Sequence, residues 1–303
     1  MYFLLITIMM LIGGVKSFRY HIRARTSLTS LAAYASEGGW KPNFARFKEG
    51  GSASKVFGEL VSASQWAQIE EMTARLYDWN SKINLVSRKD IDNLVESHII
   101  PCMSIACVQT FQKGERVIDI GTGGGLPGIP MAILNPEAEF TLIDSVGKKL
   151  IVVEDICNRL NLGNVKVVHD RAENHAKSNS YDFLMGRAVS NLPHFLTFSC
   201  DLMADQEDVQ RPKSSGLLYL KGGEFFDEID NAGVTEHNLQ EVQMLTHQAI
   251  SSDKKVLFIP APQILSFRER KEEVEVWLAE EKKKKEKEKK EKEKEKEKKK
   301  KKE

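Results

Sequence analysis

Apolar residues along this chain first recur at helical spacing and later gather in short runs. Between Val56 and Leu94 they return every three or four residues, which predicts amphipathic helix. A second helix is predicted from Asp90 to Ile100, with Pro101 limiting it. After Glu115 the pattern changes to short apolar runs, which are typical of buried strands. The predicted strands cover residues 116–120, 140–144, 165–168, 181–185, 216–220 and 256–259.

This order of elements predicts the class of fold. Helical segments such as Lys148 to Leu162 separate the early strands, and strands that alternate with helices favour a parallel sheet with helices on both faces. Ligands of such sheets bind at the carboxyl ends of the strands. We therefore expect a helical region over residues 55–110 and an α/β domain over residues 111–270.

The N-terminal segment has the composition of a targeting sequence. Tyr2 to Ile12 is an unbroken apolar run, too short to span a bilayer and suited to a signal-peptide core over residues 1–17. Residues 18–50 begin with Phe18, are basic and hydroxylated at first, and form a transit-peptide-like segment. This arrangement resembles the bipartite presequence of algae with secondary plastids. We expect a plastid protein, and a mitochondrial presequence or an ordinary secretory signal stays open.

Charge is distributed unevenly along the chain. Residues 282–303 hold 15 Lys and 7 Glu, a net charge of +8, and residues 1–50 carry +5. Because the whole chain carries +1, residues 51–281 are left with −12. This net charge argues against a body that binds nucleic acid by bulk charge, and it leaves a local basic patch open. The tail over residues 280–303 can be disordered or a single helix. It could tether RNA weakly or only solvate the chain, and its composition favours the second.

The most informative stretch runs from Asp119 to Gly128 and is rich in glycine. Glycine permits positive φ and lets a ligand approach bare backbone. Asp144 ends the next strand, where its carboxylate can accept both hydroxyls of a ribose. The spacing Gly123-x-Gly125-x-x-Gly128 formally matches a dinucleotide fingerprint. The acidic leader Asp119 disfavours a pyrophosphate and suits a sulfonium ligand, so the loop favours S-adenosyl-L-methionine, with a dinucleotide enzyme as the open alternative.

Several separated motifs resemble one family, the glucose-inhibited division protein B family of small-subunit ribosomal RNA guanine-N7 methyltransferases. The resemblance spans roughly residues 60–262. The motifs are Gly121 to Pro130, Leu142 to Lys149, Trp79-Asn80-x-x-Ile83-Asn84-Leu85-Val86-Ser87, Glu96-Ser97-His98-Ile99, Arg187-Ala188 and Leu220-Lys221-Gly222. Ser97 stands where the family usually has Arg, and Gly124 where Pro or Ala is common.

The resemblance implies a class I S-adenosylmethionine-dependent methyltransferase, an α/β Rossmann-like fold with a mostly parallel seven-stranded sheet and an N-terminal helical extension. The implied cofactor residues are Gly121, Gly123, Gly125, Leu126, Asp144, Ala172, Glu173 and Arg187. The implied substrate residues are Asn80, Asn84, His98, Arg187 and Lys221. Asn80 and Asn84 could instead fix a helix against the domain, and His98 could be structural. The implied partner is small-subunit rRNA or a 30S-type particle, bound by a monomer that uses no metal and contacts no membrane after processing.

The implied chemistry asks for no catalytic nucleophile. Guanine N7 has a free lone pair and no proton, so alignment with the methyl group is enough. Cys102 follows a proline but precedes the α/β domain, and we interpret it as a buried apolar residue. Two other functions stay open: a methyltransferase that acts on a small molecule or protein, and a non-catalytic ribosome-assembly factor that binds RNA through its tail.

Overall fold

A computed structural model describes residues 40–48, 57–58, 60–87, 89–175, 180–205, 214–246 and 253–300. The predicted targeting segment lies outside the described residues, apart from residues 40–48. Within the described ranges, no helix combines the length and the apolar character that crossing a membrane requires.

Seven strands form one sheet in the order β3-β2-β1-β4-β5-β7-β6. Neighbouring strands are parallel from β3 to β5, and β7 runs antiparallel to both β5 and β6. This arrangement confirms the predicted mostly parallel seven-stranded sheet. The strands are β1 Arg116–Ile120, β2 Glu139–Asp144, β3 Val165–His169, β4 Phe183–Arg187, β5 Gly216–Gly222, β6 Asn238–Glu241 and β7 Lys254–Pro260.

Helices precede the sheet and cover both of its faces. The helices are α1 Ala45–Lys48, α2 Ala63–Lys82, α3 Ile100–Met103, α4 Gly128–Leu134, α5 Gly147–Arg159, α6 Ala172–His175, α7 Leu192–Ser199, α8 Phe226–Asn231, α9 Val242–Thr246, α10 Ala261–Glu269 and α11 Lys271–Lys300. Short 3-10 turns cover Ile91–Asn93, Ser104–Cys107 and Cys200–Leu202, and a π-helical turn covers Val95–Ile99.

The long helix α2 begins at a capping box, in which Ser62 and Gln65 satisfy each other's backbone N–H groups. Its apolar face is buried, and Trp66, at 6% exposed, belongs to the core. The half-buried Trp79 donates from Nε1 to Asp155 on α5 at 2.8 Å. The helix therefore forms part of the core beside the sheet.

The chain passes through Pro101 without leaving helical geometry. Ile100 donates its backbone N–H to the carbonyl of Val95, five residues earlier, and this closes the π-helical turn. Pro101 then lies in the first turn of α3. A residue in this turn has no helical acceptor for its backbone N–H, so the proline, which lacks that N–H, breaks no hydrogen bond. The prediction that Pro101 limits this helix is therefore wrong, and the helical path continues to Cys107.

Side chains alternate between two cores along each central strand. Val117 of β1 and Leu142 of β2 lie in the core shared with α2 and α5. Ile118 and Ile143, one position further on, lie in the core shared with α7, α8 and α10. Both faces of the sheet are thus covered, and the carboxyl ends of the strands are left to bind a ligand.

Candidate active site

A cavity of about 580 Å³ opens at the carboxyl ends of β1, β2 and β4. This volume lies in the usual range for small-molecule sites. Of the residues implied to bind cofactor, all but one line it: Gly121, Gly123, Leu126, Asp144, Ala172, Glu173 and Arg187. The lining also includes residues that sequence reasoning missed, among them Leu85, Val146, Val189 and Phe198. Leu85 and Val146 lie inside motifs of the resemblance without an assigned role, and Val189 and Phe198 lie outside every motif.

The glycine loop adopts a backbone conformation that other residues resist. Gly121, Gly123 and Gly125 have φ angles of +69°, +58° and +88°. Gly125 does not line the cavity, and a Cβ built there would collide with the side chain of Ile129. Gly125 therefore allows the loop to turn tightly into α4, while Gly121 and Gly123 expose backbone to the cavity.

Asp119 supports this loop from beneath. Its side chain is fully buried, and Oδ2 accepts hydrogen bonds from Thr122 Oγ1 at 2.6 Å and from Gly128 N at 2.8 Å. Its Oδ1 has no hydrogen-bond partner among the described residues. Burial raises the pKa of Asp119 to about 6, against the opposing effect of its two hydrogen bonds. The acidic leader thus holds the loop in shape and does not line the cavity.

Asp144 ties the end of β2 to the same loop. Its Oδ2 accepts from Gly123 N at 2.9 Å, and its Oδ1 accepts from Val146 N at 2.8 Å. A carboxylate offers about four acceptor positions, so two hydrogen bonds leave capacity for the hydroxyls of a ribose. Asp144 is only 7% exposed and lines the cavity, so a ligand there would meet a fixed acceptor.

These residues fit S-adenosylmethionine. Asp144 would hold the ribose, and the exposed backbone of Gly121 and Gly123 would lie along the amino-acid part of the cofactor. Ala172 and Glu173 open the short helix α6 beyond β3, and both line the cavity where the adenine is expected. Ala172 is buried and Glu173 is exposed, so the adenine would pack on a small apolar side chain near the rim.

Arg187 and His98, two residues implied to bind substrate, lie in contact. Arg187 ends β4 and donates from a guanidinium nitrogen to His98 Nδ1 at 2.7 Å. Burial, assisted by the charge of Arg187, lowers the pKa of His98 to about 4. His98 is therefore neutral at pH 7, accepts at Nδ1 and carries its proton on Nε2, which is buried without a partner among the described residues.

Cys102 lies beside the same arginine. The thiol is fully buried, and burial raises the pKa of the thiol to about 12, against the opposing effect of the Arg187 charge. A buried thiol with so high a pKa is not a nucleophile at neutral pH, which agrees with the interpretation of Cys102 as a core residue. The hydrogen bond from Arg187 to His98 thus holds the arginine at the edge of the cavity.

Comparison with known proteins identifies the family. The model of the rRNA small subunit methyltransferase G family matches residues 65–258. The chain belongs to this family. It is 41% identical over 207 residues to ribosomal RNA small subunit methyltransferase G of Flavobacterium psychrophilum, covering 68% of this chain and 95% of that one. The corresponding protein of Porphyromonas gingivalis is 40% identical over 203 residues, covering 66% and 89%. The protein is therefore an S-adenosylmethionine-dependent methyltransferase, as its motifs indicated.

The remaining substrate candidates of this methyltransferase lie outside the cavity. Asn80 Oδ1 accepts from the backbone N–H groups of Leu85 and Val86 at 2.9 and 2.8 Å, so Asn80 shapes the turn that brings Leu85 to the cavity. Asn84 is exposed and forms no side-chain hydrogen bond to a described residue. Lys221 lies near the end of β5 and pairs with Glu228 at 2.5 Å. Their roles toward RNA stay predictions.

No metal centre is present in the part of the methyltransferase that the structure describes. Within those ranges, no three His, Cys, Asp or Glu side chains lie close enough to hold a metal ion.

Proposed function

We propose that this protein transfers a methyl group from S-adenosylmethionine to N7 of a guanine in small-subunit ribosomal RNA. The observation that carries the proposal is the cavity in which Asp144 and the glycine loop are joined, in a chain of the rRNA small subunit methyltransferase G family. The relatives at about 40% identity are named for activity on this RNA.

Alignment is the main task of the protein in this reaction. When bound, the cofactor supplies an electrophilic methyl group attached to sulfur. The glycine loop and Asp144 fix one side of the cavity, and Arg187 lies at its edge, held by His98. A rigid site that brings the acceptor nitrogen close to the methyl carbon lowers the entropic part of the barrier.

The acceptor needs no deprotonation. N7 of guanine attacks with its lone pair, a nitrogen–carbon bond forms, the carbon–sulfur bond breaks, and the electron pair stays on sulfur. The methylated base keeps the positive charge that the sulfonium loses. Neither His98 nor Cys102 is suited to remove a proton here, because His98 Nε2 and the Cys102 thiol are buried. The two groups packed against Arg187 therefore supply no general base, and attack by N7 of guanine requires none.

The form of the substrate and of the enzyme belongs to the same proposal. The protein acts as a monomer on rRNA or on a 30S-type particle. Large apolar side chains that are exposed among the described residues are scattered over different elements, which supports a monomer. Light scattering during gel filtration tests this, and a mass of two chains would contradict it.

We also propose that the protein works in a plastid. The apolar run from Tyr2 to Ile12, the aromatic Phe18 and the basic residues that follow support this location, and a mitochondrion is the alternative. A fusion of residues 1–50 to a fluorescent protein should enter the plastid in an alga with secondary plastids. Fluorescence in mitochondria or in the secretory pathway would contradict the proposal.

The activity itself is tested on the RNA. Borohydride–aniline treatment cleaves RNA at N7-methylguanosine, and primer extension locates the cleavage. Cleavage of the organellar small-subunit rRNA should vanish in a knockout line and return with the wild-type chain, but not with Asp144→Ala. Cleavage that persists in the knockout would refute the rRNA assignment. Labelled methyl found only in protein or metabolites would favour the other substrate classes.

A further inference from the structure

The body of this methyltransferase carries a net negative charge, which opposes RNA binding. Residues 51–281 carry a net charge of −12, whereas residues 282–303 carry +8. Protein–RNA affinity depends on Lys and Arg contacts to phosphate, and an acidic surface repels the backbone. If the substrate is rRNA, the C-terminal segment is the richest source of positive charge that the chain offers.

The structure places the beginning of this segment beside the active site. Helix α11 is anchored by Lys271, whose Nζ lies 2.6 Å from Asp201 Oδ2, and by the buried Val274. It packs on α7 and borders a groove of about 1120 Å³. Glu173, His194 and Phe198 line both this groove and the cofactor cavity. The groove therefore leads from α11 to the end of the cofactor cavity where the adenine is expected.

One face of α11 presents a row of unpaired lysines to the groove. Lys282, Lys285 and Lys289 are spaced three and four residues apart, so they lie on the same face, and all three line the groove. Lys292 continues the row, and together with Lys285 and Lys289 it lines a shallow cavity along the helix. We call these four residues the lysine stripe. All four are exposed, and none forms an ion pair with a described residue.

The groove also contains features that decide where phosphate can lie. Asp227, Glu275 and Glu281 line it too, and these carboxylates repel phosphate. Glu286 lies among the stripe lysines, and Glu288 and Glu293 line the shallow cavity with Lys292, so phosphate has to contact the lysines between these carboxylates. Trp277, which is 37% exposed, lines the groove and offers an aromatic face of the kind on which unpaired bases stack.

We propose that the lysine stripe holds the phosphate backbone of the rRNA beside the methyl-transfer cavity. The inference rests on the proposed function, since it takes RNA as the substrate. From Lys282 to Lys292 the helix rises about 15 Å, so the stripe can contact several consecutive phosphates. The family match ends at residue 258, so this surface lies in a part of the chain that the family model does not cover.

The chain supplies a matched control for testing this surface. Substituting Gln for Lys282, Lys285 and Lys289 removes three charges from the stripe. The same substitution at Lys283, Lys287 and Lys290 removes three charges from the opposite face of α11, where the side chains are equally exposed. Lys and Gln have similar helix propensities, so both triple variants should keep the helix. Circular dichroism and affinity for S-adenosylhomocysteine check that the body is unchanged.

Fluorescence anisotropy of the full chain with protein-free 16S-type rRNA, over a range of salt concentrations, measures the effect. The stripe variant should bind roughly tenfold more weakly at low salt, and the slope of log affinity against log salt should fall by about 2. The control variant should lose less than about threefold. Equal losses in the two variants, or no loss in either, would overturn the inference.

Two further outcomes separate the possible partners. Binding to 30S particles but not to protein-free rRNA would assign the stripe to a ribosomal protein and overturn the RNA inference. Methyl transfer is measured on the same samples and reports on the proposed function alone. A wild-type chain that binds rRNA through the stripe but methylates nothing would refute the function, whereas methylation that is equally efficient in all three proteins would refute the stripe.

Discussion

The two walls of the active-site cavity are built by different means. The cofactor wall is backbone: Gly121 and Gly123 line it with positive φ angles, and Asp144 is tied to the loop by a 2.9 Å hydrogen bond. The opposite wall is side chain: Arg187 is fixed by His98, which lies 89 positions earlier in the sequence. A wall made by backbone depends on a few local residues, whereas a wall made by side chains depends on distant elements packing together.

The largest effect is expected at the cofactor wall. Asp144→Ala removes the acceptor for Gly123 N and Val146 N together with the acceptor expected for the ribose. Hydrogen bonds to a charged group contribute about 1.5–3 kcal/mol each, so affinity for S-adenosylhomocysteine should fall about 100-fold. Calorimetric titration measures this. Asp144→Asn, which keeps one carbonyl oxygen, should lose less, and an unchanged affinity in Asp144→Ala would contradict the assignment.

A second test concerns the packing beneath the loop. A Cβ at Gly128 would lie 2.7 Å from Asp119 Oδ2 and 2.8 Å from Leu142 Cγ, both in the buried interior. Gly128→Ala should therefore lower the free energy of unfolding by about 1–3 kcal/mol, measured by urea denaturation. At Gly163 a Cβ meets nothing within 4 Å, so Gly163→Ala is the control. Equal stability of the two variants would show that the loop is not closely packed.

The stability that His98 contributes to the side-chain wall should decrease at acid pH. Burial lowers the pKa of His98 to about 4, so between pH 6.5 and 4 the unfolded chain binds a proton that the folded chain does not. The contribution of His98 to the free energy of unfolding is therefore complete above pH 6.5 and is lost as the pH falls toward 4. After allowance for partial exposure, it amounts to about 1–2 kcal/mol.

Urea denaturation of wild type and His98→Asn at pH 7 and pH 4.5 isolates this contribution. Asn can still accept from Arg187 but does not titrate, so the gap in stability between the two proteins should shift in favour of His98→Asn at pH 4.5. The raised pKa of Asp119 acts in both proteins and cancels in the comparison. If the difference in stability between the two proteins does not change with pH, His98 has an ordinary pKa and is exposed to solvent.

The smallest effects on stability are expected for substitutions at Asn80 and Asn84, two asparagines of one motif. Asn80→Ala removes an acceptor from two backbone N–H groups and should destabilise the protein by about 1 kcal/mol, with a modest loss of cofactor affinity through Leu85. Asn84→Ala alters an exposed side chain and should change stability by less than about 0.5 kcal/mol. Thermal denaturation measures both. If Asn84→Ala weakens rRNA binding alone, Asn84 is the RNA contact of the pair.

The cofactor wall was predictable because its constraints are local. Glycines at fixed spacing after a strand, and a carboxylate at the end of the next strand, describe a backbone conformation that few other sequences adopt. The strands were found for a similar reason, since β1 to β5 and β7 are apolar runs. β6, Asn238–Glu241, was missed because it is polar and lies at the edge of the sheet, where half of its surface faces solvent.

The side-chain wall could not be predicted from the sequence in the same way. Arg187 and His98 each matched a motif, but no spacing in the chain indicates that they form a 2.7 Å hydrogen bond. Pro101 signals the end of a helix in isolation, and only the π-helical turn before it permits the chain to continue. Lys221 matched a motif as well, yet its charge is paired with Glu228. Such contacts depend on tertiary packing.

The proposed activity requires that the cavity at the glycine loop binds S-adenosylmethionine. Thermal denaturation of the wild-type chain with S-adenosylhomocysteine, and separately with NAD and NADP, tests this most directly, because a ligand that binds only the folded state raises its Tm. S-adenosylhomocysteine should raise Tm in proportion to the logarithm of its concentration, and neither dinucleotide should change it. A rise with a dinucleotide, or none with S-adenosylhomocysteine, would contradict the account.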